Sequence, residues 1–308
     1  MLDATAASSE TAAPIDPVPN AAETPVAPVE TIPAQAAPAL QIRIPHLGHV
    51  ALFGALMLGG LIATVIVIFA AVHFHLFGVS RVEDAMHSMA YAVGTMAVWY
   101  LVAFAPAVAI FPSLWGKNLL AGLQWNADAV RRRWPVLVAT GASCFLIAFA
   151  AKALLHFPDH SLISDLLSTP QAVWTMFVFS ITVAPFCEEM MFRGFLLPAL
   201  STAFDWMGER TSKRLAPALL DNGHPQWSMA AMIGASVVTS MVFALFHRNQ
   251  NGNALGPFVL IFTVSLILCT VRLRTRSLAA STLTHATYNF TLFLVMAIGT
   301  HGFTHLHK

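Results

Sequence analysis

From residue 49 onward the chain alternates long apolar runs with short polar breaks. A helix needs about 20 apolar residues to cross a bilayer's hydrocarbon core. Runs of about that length cover roughly 49–77, 85–112, 134–156, 171–199, 228–247, 253–271 and 277–299. They predict an all-α fold, a polytopic transmembrane helical bundle of about seven or eight spans. Apolar character continues from 171 to about 207, too far for one ordinary helix, and Pro185 is placed to break it. No internal repeat recurs at a fixed period.

Composition agrees with the pattern. The 308 residues are 57% hydrophobic and 10% charged, and the mean hydropathy is +0.69. These values exclude a soluble globular enzyme. A net charge of +1 offers no electrostatic footprint for nucleic acid. Residues 1–40 stand apart. They hold seven of the 18 prolines and five acids (Asp3, Glu10, Asp16, Glu23, Glu30), with no Lys or Arg. They read as a disordered Ala/Pro-rich acidic tail, and lack the basic start and apolar core of a signal peptide. Cys144, Cys187 and Cys269 lie in apolar stretches without a CxxC pair, as buried free thiols do.

The basic residues give an orientation. Arg43, Lys117, Arg131, Arg132, Arg133, Arg210, Lys213, Arg214, Arg272, Arg274 and Arg276 fall in one set of alternate loops. The opposite set holds only Arg81, Lys152, Arg248 and Lys308. Cytoplasmic loops carry the excess of Lys and Arg. The bias predicts a multi-pass membrane protein with its N-terminus in the cytoplasm and, for seven spans, its C-terminus outside. Trp115, Trp125, Trp134, Trp174, Trp206 and Trp227 lie near span ends, where tryptophan anchors at the interface, and Trp99 lies deeper.

Three polar clusters interrupt the apolar spans. The fourth span contains Glu188 and Glu189, which are expensive in a membrane. Glu189 and Arg193, four residues apart, stack on one helical face and can pair. Glu188 is rotated by about 100° and has no local partner, which suits it to general-base work. The fifth span ends with Phe243 and His247, again one turn apart. The seventh carries His285 and Asn289 at the same spacing. Singly, each cluster reads as an interhelical brace. Together they supply a base, two imidazoles and an amide to one pocket.

The trio Glu188-Glu189-x-x-x-Arg193, Phe243-x-x-x-His247 and His285-x-x-x-Asn289 resembles the motifs of the CAAX protease and bacteriocin-processing (CPBP) family. That abortive-infection-type family includes the Ras-converting CAAX prenyl endopeptidase. The flanking Ala184-Pro185, Phe192-Arg193-Gly194-Phe195-Leu196 and Ser277-to-Leu283 segments are similar too. The resemblance covers roughly 171–296, a four-helix catalytic core. It divides the chain into the tail (1–40), N-terminal transmembrane helices (41–170), the catalytic membrane core (171–299) and a C-terminal tail (300–308).

The resemblance implies an intramembrane endopeptidase acting on a membrane-associated or CAAX-like protein or peptide. Glu188 and His247 would activate a water. His285 and Asn289 would stabilise the oxyanion, a task for preorganised donors. Glu189, Arg193 and Phe243 would support the site. The family carries a metalloprotease label, and Glu188, His247 and His285 are the set that would hold zinc. There is no HExxH, so the expected mechanism uses no cofactor. The partners expected are the substrate and the lipid bilayer, not nucleic acid. The alternatives are a non-catalytic immunity or peptide-binding protein on the same fold, and a transporter using Glu188 as an ion site.

The spans as drawn place Glu188 and His247 at opposite depths. A break at Pro185 would bring them closer and leave His285, about eight residues into its span, as the outlier. Residues 248–256 would adjust the register. The mixed-charge stretch from Asp205 to Asp221 reads as an interfacial helix or loop. His301, His305 and His307 read as a solvated tail.

Overall fold

The computed structural model describes residues 44–86, 88–158, 161–212 and 226–305. The expected tail over 1–40 lies outside these residues, as do Lys213, Arg214, Asp221, His307 and Lys308. Every regular element among the described residues is helical. In chain order they are α1 (Leu47–His73), α2 (Val82–Met86), α3 (Met89–Trp115), α4 (Leu119–Gly122), α5 (Ala127–Leu154) and α6 (Leu162–Leu166). Then come α7 (Pro170–Ile181), α8 (Val183–Glu189), a π-helical segment (Met190–Leu196), α9 (Leu197–Ser212), α10 (Met229–Phe246), α11 (Leu255–Thr275) and α12 (Leu278–Gly299). Short 3-10 turns at Leu76–Gly78 and Asn249–Asn251 complete the series.

Polar caps set the boundaries. Asn126, Thr169, Ser228 and Ser277 accept the backbone N–H groups of Ala129, Ala172, Ala231 and Ala280. The Asn126 cap starts α5 seven residues before the apolar run at 134, so Arg131 to Arg133 are helical rather than in a loop. Gly116 ends α3 at φ 63°, a conformation costly for other residues.

Six helical stretches are long and apolar enough to cross a membrane, counting Pro170–Thr211 as one run of 42 residues. No more than 39% of any of these windows is buried within the protein. Leu58, Ile62, Ile66 and Phe69 on α1 are among the exposed side chains, as lipid-facing residues should be. The chain is therefore a multi-pass membrane protein. The predicted seventh span is present as the 22-residue helix α12. His285, Asn289 and several threonines make α12 too polar to stand among the six. It packs along α5, where a Cβ on Gly141 would lie 2.4 Å from the Thr284 carbonyl oxygen. Close approach of the two backbones thus requires glycine there.

The 42-residue run could not cross as one straight helix, which would measure about 63 Å against a core of about 30 Å. It is interrupted at Thr182 (φ −120°, ψ −84°), three residues before Pro185. Proline offers no N–H to the carbonyl four residues back, here Ile181, and its ring crowds that carbonyl. The expected break near Pro185 is therefore seen.

Two ends of the bundle can be distinguished. At one, Leu278 N–H donates to the Gln124 carbonyl at 3.0 Å and Ser277 Oγ donates to the Asn126 carbonyl at 2.7 Å. Among the described residues this end carries Lys117, Arg272, Arg274 and Arg276, with Arg131 to Arg133 in the first turns of α5. At the other, α6 packs on the Asn249–Asn251 turn, and Phe303, just past α12, meets Trp174 at 5.1 Å. Between them, Phe53, Phe111, Trp115 and Phe195 form an aromatic core joining α1, α3 and the π segment. Trp115 belongs to this core and donates to His49 Nε2 at 3.1 Å, so it is not an interfacial anchor. Trp99 donates to the Met57 carbonyl at 2.7 Å and ties α3 to α1.

Candidate active site

Glu188 and Glu189 are the last residues of α8. Their separation of about 100° sends the two carboxylates into different surroundings. Glu189 is completely buried, with Oε1 3.0 Å from Arg193 Nη1 and 3.0 Å from His285 Nδ1. A carboxylate only accepts, so His285 Nδ1 carries the proton of that bond. Ser281 on α12 lies beside this carboxylate, but its hydroxyl donates to the Leu278 carbonyl at 3.0 Å, and Glu189 Oε2 has no hydrogen-bond partner among the described residues. Arg193 Nη2 donates to the Ser265 carbonyl at 3.2 Å and to its hydroxyl at 2.7 Å, on α11. The guanidinium lies 4.5 Å from the centre of the Phe243 ring on α10. A buried ion pair is tolerable only when further hydrogen bonds satisfy it. Here those bonds also fasten α8 to α11 and α12.

The π segment follows from the sequence around Arg193. Leu197 N–H bonds the Phe192 carbonyl, five residues back, and so leaves the Arg193 carbonyl without its usual donor. The next residue, Pro198, has no N–H to replace it. Arg272 Nε, on α11, donates to that carbonyl at 3.2 Å. Arg272 also donates to the Leu123 carbonyl and, at 2.7 Å, to Gln124 Oε1. The predicted sixth span ended at 271 and left Arg272 in a loop. The helix instead runs to Thr275 and Arg272 is buried, because the π segment offers it a carbonyl.

Glu188 lies on the other side of this brace, facing two imidazoles. Its Oε1 lies 3.9 Å from His247 Nε2, and its Oε2 lies 3.9 Å from His285 Nε2. Both distances exceed a direct hydrogen bond and suit a shared water. His247 caps α10, and its Nδ1 lies 2.8 Å from the Phe243 carbonyl. That oxygen can only accept, so Nδ1 is the donor and Nε2 of the neutral ring presents a lone pair toward Glu188. The Phe243 ring spans the two imidazoles, at 4.5 Å from His247 and 6.0 Å from His285. Side-chain exposures of 12% for Glu188 and 23% for His247, against 0% for Glu189, distinguish a reachable carboxylate from a structural one.

The structure brings together Glu188, Glu189, Arg193, Phe243, His247 and His285. Asn289 is committed elsewhere: its Nδ2 donates to the Ser180 carbonyl at 2.7 Å, in the last turn of α7 beside the break. Sequence reading missed Ser281, Ser265 and Arg272, and also Tyr100. Tyr100 is buried on α3, near enough to Glu188 to feel its charge. Pro198, five residues past Arg193, was the available signal for Arg272. Serine and tyrosine in apolar spans gave none. Among the described residues no group of three or more His, Cys, Asp or Glu side chains is arranged to hold a metal ion. His247 and His285 address different oxygens of Glu188, each at 3.9 Å. His301 and His305 pack their rings 5.3 Å apart and form no such group either.

Residues 169–291, from the α7 cap into α12, match the family model described as type II CAAX prenyl endopeptidase Rce1-like. The chain carries an Rce1-like domain. The matched residues include Glu188, Glu189, Arg193, Phe243, His247, Arg272, His285 and Asn289, and leave out Tyr100. The match covers 123 of the 308 residues, and over them the chain is similar to a family of CAAX-type prenyl endopeptidases. α1, α3 and α5 lie outside the matched residues and buttress the Rce1-like domain through Phe195 and Gly141. No curated protein and no solved structure matches the chain.

Proposed function

We propose that this protein is an intramembrane endopeptidase that cleaves a membrane-associated, CAAX-like protein or peptide with a water activated by Glu188 and His247. One observation carries the reading. Glu188 is the single reachable carboxylate in the cluster, and it stands one water's width from two imidazole nitrogens. A water there donates one hydrogen to Glu188 Oε1 and the other to His247 Nε2. Two convergent acceptors raise its nucleophilicity and take its proton as it attacks the scissile carbonyl. When His285 carries both ring protons, Nδ1–H stays on Glu189 and Nε2–H is free for the developing oxyanion. The protonated carboxyl or imidazolium then returns a proton to the leaving amine. No step requires a metal.

The test is cleavage of a membrane-associated peptide by the full chain in liposomes. Glu188→Gln and His247→Ala are expected to lower the rate by roughly 10²–10⁴, the usual worth of a positioned acid or base. Both should insert and melt like the parent. Parent-like cleavage by both variants would overturn the reading. An unchanged cellular phenotype for a cleavage-dead Glu188→Gln would instead favour the non-catalytic alternative.

A further inference from the structure

A cavity of about 450 Å³ opens at the basic end of the bundle, and none of the Glu188 cluster lines it. Arg272, Arg274 and Arg276, from the end of α11 and the turn after it, line it with Gln124 and Trp227. No carboxylate is among its described lining residues. Arg272 is buried and bonded to oxygens of Arg193, Leu123 and Gln124, whereas Arg274 and Arg276 are exposed with no carboxylate beside them among the described lining residues, an arrangement that suits an anion. Arg is the side chain suited to phosphate, through its planar fork of donors. Trp227 donates to the Thr202 hydroxyl at 3.0 Å, and an indole so held marks the depth of lipid headgroups.

The cavity does not end at the arginines. Met232, Leu273 and Arg274 are shared with a neighbouring groove of about 500 Å³ between α10 and α11. That groove is lined mainly by apolar side chains, among them Met229, Ile233 and Val237. These three lie on the exposed surface of α10 and extend for about 12 Å along it. A cationic chamber at the membrane surface therefore leads without interruption into an apolar channel running toward the bilayer centre. One class of molecule has that shape and polarity: a phosphate-bearing amphiphile with an acyl chain.

We propose that the Arg272–Arg274–Arg276 cavity and the α10–α11 groove together form a binding site for an anionic phospholipid. The headgroup phosphate engages the guanidinium groups and one acyl chain occupies the groove. Arg272 is shared with the π segment through its bond to the Arg193 carbonyl, so occupancy braces the support of the Glu188 cluster. The site is independent of whether the protein cleaves anything.

The probe is the full chain in detergent, titrated with phosphatidylglycerol, phosphatidylcholine or inorganic phosphate. Retained lipid is read by native mass spectrometry, and stability by thermal unfolding. The expected result is preferential retention of phosphatidylglycerol, a rise in melting temperature with that lipid, and no displacement by millimolar inorganic phosphate. Arg274→Gln/Arg276→Gln removes two exposed charges and spares Arg272. It is expected to weaken phosphatidylglycerol binding about tenfold or more while melting normally in phosphatidylcholine. Thr270→Trp, which narrows the groove, is expected to weaken it too. Equal retention of both lipids would overturn the proposal. So would full displacement by inorganic phosphate, which would assign the arginines to a soluble anion. If the double arginine variant fails to fold, unchanged phosphatidylglycerol binding by Thr270→Trp is sufficient to reject the site.

Discussion

Two adjacent glutamates of the same chemistry occupy opposite roles because a helix turns about 100° between them. Glu189 is sealed with Arg193 and His285, and Glu188 keeps a partly exposed side chain. Arg193→Gln is expected to cost about 3–5 kcal/mol, since it strands the buried Glu189 charge. Thermal unfolding in detergent measures this, and a melting point equal to the parent's would show that the pair contributes little. These charged residues were legible in the chain because charge inside an apolar run is costly and must have a reason. Ser281, Ser265 and Tyr100 were not. A hydroxyl in a membrane helix usually bonds its own helix backbone, as Thr287 and Thr291 do here, and only position reveals a second use.

The elements that hold the site are irregular, and two prolines account for much of the irregularity. Pro185 enforces the interruption at Thr182, and Pro198 deprives the Arg193 carbonyl of a donor. π segments recur at functional positions, and here one releases a carbonyl that Arg272 takes up from α11. The first break was foreseeable from the length of the apolar run. The second was not, because a carbonyl's alternative partner comes from a helix more than seventy residues away. Close packing matters equally at Gly141, where an added Cβ would lie 2.4 Å from the Thr284 oxygen and 2.8 Å from Thr287 Cβ. Gly141→Ala is expected to push α12 from α5, lowering stability by about 1–3 kcal/mol and displacing His285, the neighbour of Thr284. A parallel loss of melting temperature and cleavage checks it. Lost stability with parental cleavage would show that α12 yields elsewhere.

Across the whole molecule, loop charge and helix packing describe the same two ends. The loop over 116–126 and the turn at 276–277 meet at the arginine-rich end, and the turn after His247 lies at the other. Arg132→Cys and Asn249→Cys are therefore expected to label from opposite sides of sealed vesicles with an impermeant maleimide. Arg132→Cys should label from the cytoplasmic side. The native Cys144, Cys187 and Cys269 are free and buried and should give little background. Labelling of both from one side would break this topology. Hydrophobic length settled the fold class, and three spaced polar clusters pointed to the candidate site, because each is a local property that a bilayer enforces along the chain. They could not show how Glu188, His247 and His285 come within a water of one another from helices drawn at different depths. Nor could they show that Asn289 bonds Ser180, that Arg272 is buried, or that three arginines face a cavity without an acid. Those relations join residues from 59 to more than a hundred positions apart. They exist only once broken helices pack and each freed carbonyl or buried charge must find a partner on another element.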